Sequence, residues 1–307
     1  MMATYVDINT LVNVTLALIT FSLGITLTKS DFANLFANPK SLIVGLFLQI
    51  VLLPLAAILI MSNMNLDPVL KVGFFIIAIC PSGISSNMLS FLMNGNTALA
   101  ISMSVFNSLI TLFSIPLFTN FALDFFLHER ATSLRLPFWD TFFTIFFITV
   151  LPTIIGVFVR ARFKQIVKRI IPILRYVLPL LLLFIFSVKI FSNDSNGHPK
   201  IRLEQFFSLF APELFLNFLG MLFGFIASTI VQISFRNRLT IVLEIGLQNT
   251  AMALLIAGTL LENAQMEIPA LVYATFSFFS TFAFAWLFKY LYFRWKKWMK
   301  HRGVQRK

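Results

Sequence analysis

Long apolar segments, separated by short polar or basic stretches, make up most of this chain of 307 residues. A window of about 19 residues, roughly the length of helix that crosses a bilayer, finds nine such segments. They lie at about 10–28, 41–62, 69–93, 96–120, 138–159, 172–192, 206–233, 238–261 and 268–292. This pattern predicts an all-α integral membrane protein with a single transmembrane domain over 1–307.

Two of the nine segments carry residues that interrupt a helix. The third contains Pro81 and Gly83; proline removes a backbone donor and clashes with the preceding turn, and glycine permits irregular backbone. The eighth carries a polar stretch from Glu244 to Asn249. Irregular backbone at bilayer depth is tolerated only where protein or a cavity surrounds it. Both segments are therefore predicted to be broken helices inside the bundle.

The two broken segments occupy matching places in the chain. An apolar segment precedes each and another follows each, and the third and eighth segments run in opposite directions. This order predicts an inverted repeat, the first copy at about 10–120 and the second at about 138–292. Paired broken segments in such a repeat are typical of a transporter whose binding site lies near the midplane.

Composition supports the membrane interpretation. The chain is 58% hydrophobic and 12% charged, whereas soluble proteins carry about 25% charged residues. The net charge of +12 could suggest nucleic-acid binding, but the apolar spans exclude it as a first choice. The basic tail 293–307, which contains tryptophan, is instead predicted to meet anionic lipid. The single Cys80 excludes an internal disulfide and a cysteine-based metal cluster.

The distribution of basic residues predicts the orientation. With the C-terminus in the cytoplasm and the N-terminus outside, 18 of 24 Lys and Arg residues fall on the cytoplasmic side, with Asp31 as its one acid. The outer side then holds 6 bases and 10 of 12 acids. This asymmetry follows the positive-inside rule. The predicted location is a plasma membrane or a bacterial inner membrane.

Glu244 is predicted to be the one carboxylate near the bilayer centre, where a charge costs about 2.5–3.5 kcal/mol on insertion scales. Other oxygen-bearing side chains are expected at the same depth, because Ser86 and Ser104 each lie nine residues from a predicted turn at Gly95. At 1.5 Å per residue both lie about 13 Å from that turn. The remaining members of this set are Gln49, Asn87, Gln248 and Asn249.

The chemistry of this set indicates ion-coupled transport. Oxygen ligands with one carboxylate suit a hard monovalent cation, and no His lies at that depth for zinc. The N-termini of the new half-helices attract an anion. Cation-coupled anion symport fits both features, and a proton-coupled transporter or antiporter that titrates Glu244 remains the alternative. An enzyme is not expected, because neither paired carboxylates nor Ser with a His or Lys base lies at this depth.

Several polar residues also have structural interpretations. Ser and Thr in membrane helices often bond the preceding turn or a neighbouring helix, and Gln49 alone is typical of packing between helices. Lys189 and Glu213 lie near the outer ends of their spans and are expected at the interface.

The motifs around the two breaks resemble those of the bile acid:sodium symporter family. The resemblance covers nearly the whole chain and includes 21–32, 38–40, Gln49 followed by Leu53-Pro54, and 95–99. Its most specific parts are Cys80-Pro-Ser-Gly-Ile-Ser-Ser86-Asn87 and Glu244-Ile-Gly-Leu-Gln248-Asn249. The family patterns at these places are C-P-G-G-x-x-S-N and E-x-G-x-Q-N.

The resemblance implies a fold with two inverted repeats, divided into a panel and a core domain, and two broken helices that cross. The nine segments resemble the family version that lacks the first helix. The resemblance also implies two sodium sites. The first would use Ser86, Asn87, Ser104 and Glu244. The second would use Gln49, Glu244, Gln248 and the backbone oxygens of Ile245 and Leu247. Asn249 would face the substrate, with Ile84, Ser85 and Ser277 near it.

The chain departs from the family pattern at four places. Ala100 stands where the family often has a serine ligand, and Ser82 replaces the first glycine of the break motif. Ile84 replaces a frequent threonine, and Ser277-Phe278 stands where some members carry His-Asn. The resemblance implies a sodium-coupled symporter of an organic anion, with no organic cofactor and no obligate protein partner. Bile acids, small carboxylates and steroid sulfates all remain open as substrates.

Overall fold

The computed structural model describes residues 8–27, 39–128, 134–191 and 201–301, and nearly all of these are helical. The helices are α1 Ile8–Thr26, α2 Pro39–Ser62, α3 Pro68–Ile79, α4 Ile84–Leu92, α5 Thr97–Leu127, α6 Phe138–Arg162, α7 Lys164–Phe191, α8 Leu203–Ile230, α9 Phe235–Gly246, α10 Thr250–Leu260 and α11 Ala264–His301.

The all-α membrane fold is confirmed over this described part of the chain. Seven helices are long and apolar enough to cross a membrane, and α3 and α10 are shorter apolar helices. The third predicted span is the pair α3 and α4, and the eighth is the pair α9 and α10. Each predicted span therefore corresponds to one continuous helix or one interrupted pair.

Local sequence explains where the first interrupted pair begins and ends. The Asp67 side chain accepts a hydrogen bond from the Val69 N–H and caps α3, which starts at Pro68. Cys80 is extended, with φ −68° and ψ 148°, because the residue before a proline avoids the helical region. After α4 the chain turns at Asn94, whose φ is 60°. This confirms the turn predicted next to Gly95.

Widened π-helical turns occur inside two of the long helices, each just before a proline. They span Leu48–Leu52 in α2 and Phe146–Val150 in α6, next to Pro54 and Pro152. A proline lacks the N–H of a regular helix, and the wider turn accommodates its ring. The first of these turns carries Gln49 and so sets the direction of its side chain.

Helix α1 packs mainly against α6 and α7 and also touches α4 and α10, whereas α2, α5, α8 and α11 pack against the interrupted helices. Gly24 and Gly156 let α1 and α6 approach closely, because a Cβ at Gly24 would clash with the backbone of Thr153. Small residues at such contacts are typical of membrane helices. The division into a panel and a core domain stays a prediction.

The two interruptions are joined directly by backbone hydrogen bonds. The Asn249 N–H donates to the Pro81 oxygen at 2.8 Å, and the Gly83 N–H donates to the Leu247 oxygen at 3.1 Å. Ser82 and Gln248 form an antiparallel bridge between these bonds. The antiparallel pairing agrees with an inverted relation between the breaks. The limits of the two repeats, and the orientation of the chain in the membrane, stay predictions.

The expected exposure of the Lys189 and Glu213 side chains at the interface is wrong. Both residues are 1% exposed. The Lys189 ammonium is paired at 2.6 Å with the carboxylate of Glu267, and it also donates to Asn9 Oδ1. Glu244 is therefore one of several buried carboxylates. A single sequence shows where a residue lies along a helix but not which face of that helix is covered. Lys29 and Asp31, which contribute to the predicted orientation, lie outside the described residues.

Candidate functional site

Glu244 lies in the last turns of α9, next to the crossing, and is completely buried. The Ser82 hydroxyl donates to Glu244 Oε2 at 2.5 Å, and the Ser104 hydroxyl lies 3.3 Å from the same atom. Glu244 Oε1 is buried and has no hydrogen-bond partner among the described residues. One carboxylate oxygen is thus bound by hydroxyls, and the other remains to accept a further partner.

Residues predicted for the first sodium site lie around these hydroxyls. The Asn87 Nδ2 group donates to the Ser104 hydroxyl at 3.2 Å, and the Ser82 and Ser104 hydroxyls are 3.4 Å apart. Ser86 is buried, and its hydroxyl donates to the Gly83 oxygen at 2.7 Å. Helices α4, α5 and α9 therefore bring Asn87, Ser104 and Glu244 into one hydrogen-bonded cluster, with Ser86 on the first turn of α4.

The side chains predicted for the second site meet on the α2 side of the crossing. The Gln49 Nε2 group donates to Gln248 Oε1 at 2.6 Å and to the Cys80 oxygen at 3.1 Å. The Gln248 Nε2 group donates to the Ile245 oxygen at 2.7 Å, and the Leu247 oxygen accepts from the Gly83 N–H. Gln49 Oε1 is buried without a hydrogen-bond partner in the described part of the chain. These oxygens converge at the backbone where α9 is interrupted.

The predicted substrate residues lie at or near the crossing. Ile84 and Ser85 begin α4 and are half-buried. Asn249 is half-buried and caps α10, because its Oδ1 accepts from the Met252 N–H at 3.1 Å. Ser277 is buried in α11, one turn before Thr281, whose hydroxyl donates to the Gly246 oxygen. Three of the four therefore adjoin the N-termini of α4 and α10.

Ser82 is the residue of this site that sequence reasoning left out of the predicted ligands. From the sequence, Ser82 is only a departure from the glycine of the family pattern. Its hydroxyl is nevertheless the nearest hydrogen-bond donor to Glu244. A serine placed inside the break, close to residues predicted to lie at the depth of Glu244, is the signal that could have identified it.

The geometry is suited to a hard cation. An ionised carboxylate that is fully buried is costly unless a cation or several hydrogen bonds compensate it. Neither of the two ion pairs formed by the described residues includes Glu244. The two unpartnered oxygens, Glu244 Oε1 and Gln49 Oε1, adjoin hydroxyl, amide and carbonyl oxygens, the donor set that alkali and alkaline-earth cations prefer. These residues therefore fit the predicted ion.

Comparison with known proteins indicates the family of this chain independently of its structure. The sequence model of the Sodium Bile acid symporter family matches residues 13–196, which is more than half of the chain. Among curated proteins, an uncharacterized sodium-dependent transporter of Bacillus subtilis is 28% identical over 81% of this chain and 74% of the relative. A probable sodium/metabolite cotransporter of Arabidopsis thaliana chloroplasts is 26% identical over 86% of this chain and 62% of the relative.

A human relative is similar over more of this chain. It is described as an ileal sodium/bile acid cotransporter and is 26% identical over 95% of this chain and 81% of the relative. The chain thus spans about three fifths of the plant relative and about three quarters or more of the other two.

Proposed function

Because the chain belongs to the sodium bile acid symporter family, we propose that it is a sodium-coupled symporter that carries an organic anion across a membrane by alternating access. The observation that carries the proposal is the buried carboxylate of Glu244, which keeps one oxygen without a partner among the described residues. The relatives that are named as sodium-dependent transporters or cotransporters support the same coupling ion.

Two groups of residues would hold the ions. Glu244 is common to both, with Ser86, Asn87 and Ser104 in the first group. The second group adds Gln49, Gln248 and the backbone oxygens of Ile245 and Leu247. Bound sodium supplies the positive charge that offsets a carboxylate removed from water. The residues themselves present oxygens to that charge from α2, α4, α5, α9 and the interruption that follows α9.

Three of the four amide ends of the second site already have partners, and only Gln49 Oε1 has none among the described residues. Gln248 donates to the Ile245 oxygen and accepts from Gln49, so these groups must exchange partners when their oxygens turn to an ion. Such an exchange changes the contacts that α2 makes with the crossing. This provides a physical route by which ion binding alters the packing of the broken helices.

Anion recognition is proposed at the N-termini of α4 and α10. Both helices begin at the crossing, where their first N–H groups and their dipoles favour negative charge. The Asn249 Oδ1 atom caps α10, and its Nδ2 group is a donor suited to a carboxylate or sulfate. Ile84, Ser85 and Ser277 would line the same region and set the shape of the accepted anion.

The proposal is tested with the purified chain reconstituted in proteoliposomes. An inward sodium gradient should drive uptake of at least one anion from a panel of bile acids, small carboxylates and steroid sulfates. Glu244→Gln keeps the side-chain shape and removes the charge, so it should abolish sodium-driven uptake. Glu204→Gln, at an exposed position in the first turn of α8, is the matched control. Uptake that needs no sodium, or full activity of Glu244→Gln, would contradict the proposal.

A proton-coupled transporter or antiporter is the second candidate. The same unpartnered oxygen of Glu244 could carry a proton instead of contacting a metal ion. In this case a pH gradient should drive uptake in sodium-free vesicles, and sodium should have no effect. The two candidates therefore predict opposite results: a sodium gradient alone drives uptake in the first case, and a pH gradient alone drives it in the second.

A further inference from the structure

The backbone carbonyl of Gly246 is held by three buried side chains. The Asn217 Nδ2 group donates to it at 2.6 Å, and the hydroxyls of Tyr273 and Thr281 donate to it at 2.9 Å each. Gly246 is the last residue of α9, so its oxygen has no acceptor role in a following turn of that helix. Three donors saturate an oxygen that has two lone pairs.

The three donors come from two helices and brace one another. Asn217 lies on α8, and Tyr273 and Thr281 lie on α11. Asn217 Nδ2 is also 3.0 Å from the Tyr273 hydroxyl, and the Ser280 hydroxyl donates to Asn217 Oδ1 at 2.9 Å. All three donors are at most 1% exposed. A buried polar network of this kind is rigid when every member is satisfied.

Glycine is required where these helices meet. A Cβ at Gly246 would lie 2.7 Å from the Thr281 hydroxyl oxygen and 2.9 Å from the Met221 sulfur. A Cβ at Gly220 would lie 2.9 Å from the side chain of Ile245. The absence of side chains lets the end of α9 approach α8 and α11 closely enough for the carbonyl to be bound.

The carbonyls on either side of Gly246 have different partners. The Ile245 oxygen accepts from the Gln248 side chain, and the Leu247 oxygen accepts from the other broken helix. The Gly246 carbonyl belongs to the planar peptide unit that links Gly246 to Leu247, so holding it fixes the positions of both Cα atoms, from which the two neighbouring peptide units extend. The direction of these two neighbouring oxygens, the proposed backbone ligands of the second site, therefore depends on the anchored carbonyl.

We propose that Asn217, Tyr273 and Thr281 are positioning residues that orient the backbone oxygens of the second cation site by binding the Gly246 carbonyl. They act without contacting the ion. This inference rests on the proposed function, because it concerns the affinity of the same sodium site.

The experiment measures sodium binding by thermal stabilisation of the purified full-length protein, with choline chloride replacing sodium chloride at constant ionic strength. Tyr273→Phe and Thr281→Val each remove one donor and keep the side-chain shape. Each should raise the sodium concentration for half-maximal stabilisation by about 3- to 10-fold, the change that corresponds to one net hydrogen bond. Thr281→Ser keeps the hydroxyl, so its sodium concentration for half-maximal stabilisation should equal that of the parent protein.

Two control positions lie on α11, the helix that carries Tyr273 and Thr281. The Thr275 hydroxyl donates to the Val272 oxygen of its own helix, and Tyr290 is 48% exposed. Thr275→Val and Tyr290→Phe should leave the sodium midpoint unchanged. A structural role alone would lower the melting temperature in choline and leave the sodium midpoint of Tyr273→Phe and Thr281→Val at the parent value.

The outcomes separate this inference from the proposed function. A parent protein that shows no stabilisation by sodium contradicts the proposed function and the inference together. A parent that responds to sodium, with donor variants that respond at the same concentration, overturns the inference and leaves the proposed function in place. The inference is supported if Tyr273→Phe and Thr281→Val both raise the sodium midpoint and Thr281→Ser does not.

Discussion

The hydroxyl of Ser82 donates a hydrogen bond to Glu244 Oε2 across 2.5 Å, from one broken helix to the other. The contact joins a residue of the first interruption to the buried carboxylate of the second. Hydrogen bonds to a charged acceptor are among the stronger ones in proteins. Ser82 therefore orients the carboxylate that the proposed ion sites share, and the Ser82 hydroxyl oxygen lies next to that carboxylate.

Removal of this hydroxyl should weaken sodium coupling. Ser82→Ala or Ser82→Gly should raise the sodium concentration for half-maximal uptake by about 10- to 100-fold, because hydrogen bonds to charged groups contribute about 1.5–3 kcal/mol. The measurement is sodium-dependent uptake in proteoliposomes. Ser187→Ala, which removes an exposed hydroxyl bonded within α7, is the control. Unchanged sodium dependence in both Ser82 variants would exclude this role.

The hydrogen bond between Gln49 and Gln248 should appear as energetic coupling. Gln49→Ala leaves Gln248 Oε1 and the Cys80 oxygen without their donor, so sodium affinity should fall. Gln248→Ala should act in the same direction, and the double variant should cost less than the sum of the two. A double-mutant cycle on the sodium midpoint measures this difference. Strict additivity would show that the pair does not act as a unit.

The buried ion pair of Lys189 and Glu267 should contribute to stability through both members. Breaking a buried pair by neutralising one partner costs about 3–5 kcal/mol, because the other charge stays buried and uncompensated. Lys189→Met and Glu267→Gln should each lower the free energy of unfolding in detergent by this order. The double variant should recover part of the loss.

An exposed pair provides the control for this test. Arg135 and Asp124 form a two-bonded contact at 2.8 and 2.9 Å, but both side chains are about half-exposed. Such surface pairs contribute at most about 1 kcal/mol. Arg135→Gln should therefore change stability far less than Lys189→Met. Equal effects at the two sites would contradict the burial argument.

The contact between α1 and α6 should be sensitive to side-chain volume. A Cβ at Gly156 would clash with the Phe21 oxygen, so Gly156→Val should reduce stability by about 1–3 kcal/mol, as overpacking does. At Gly83 an added Cβ would meet its nearest neighbour at 3.7 Å, and φ is −86°. Gly83→Ala should therefore be tolerated. Thermal unfolding of the two variants distinguishes a tight contact from an open one.

The spans and the breaks could be predicted from the sequence because hydrophobic length and Pro81 act locally. The grouping of Ser104, Asn87 and Glu244 could also be predicted, because distance along a helix fixes depth in a bilayer. The partners of individual groups could not be predicted in this way. The bond from Ser82 to Glu244 depends on the angle at which two helices cross, and the burial of Lys189 and Glu213 depends on which helix covers them.

The backbone pairing of Pro81 with Asn249 and of Gly83 with Leu247 also restricts how the protein can change shape. Sliding one broken helix past the other would rupture both bonds, and the freed backbone groups near the protein centre would be costly to leave unpaired. The two interruptions are therefore expected to move together as one rigid unit, and the large displacements should occur where this unit contacts the surrounding helices. A covalent cross-link between the two interrupted segments should then be compatible with a complete transport cycle.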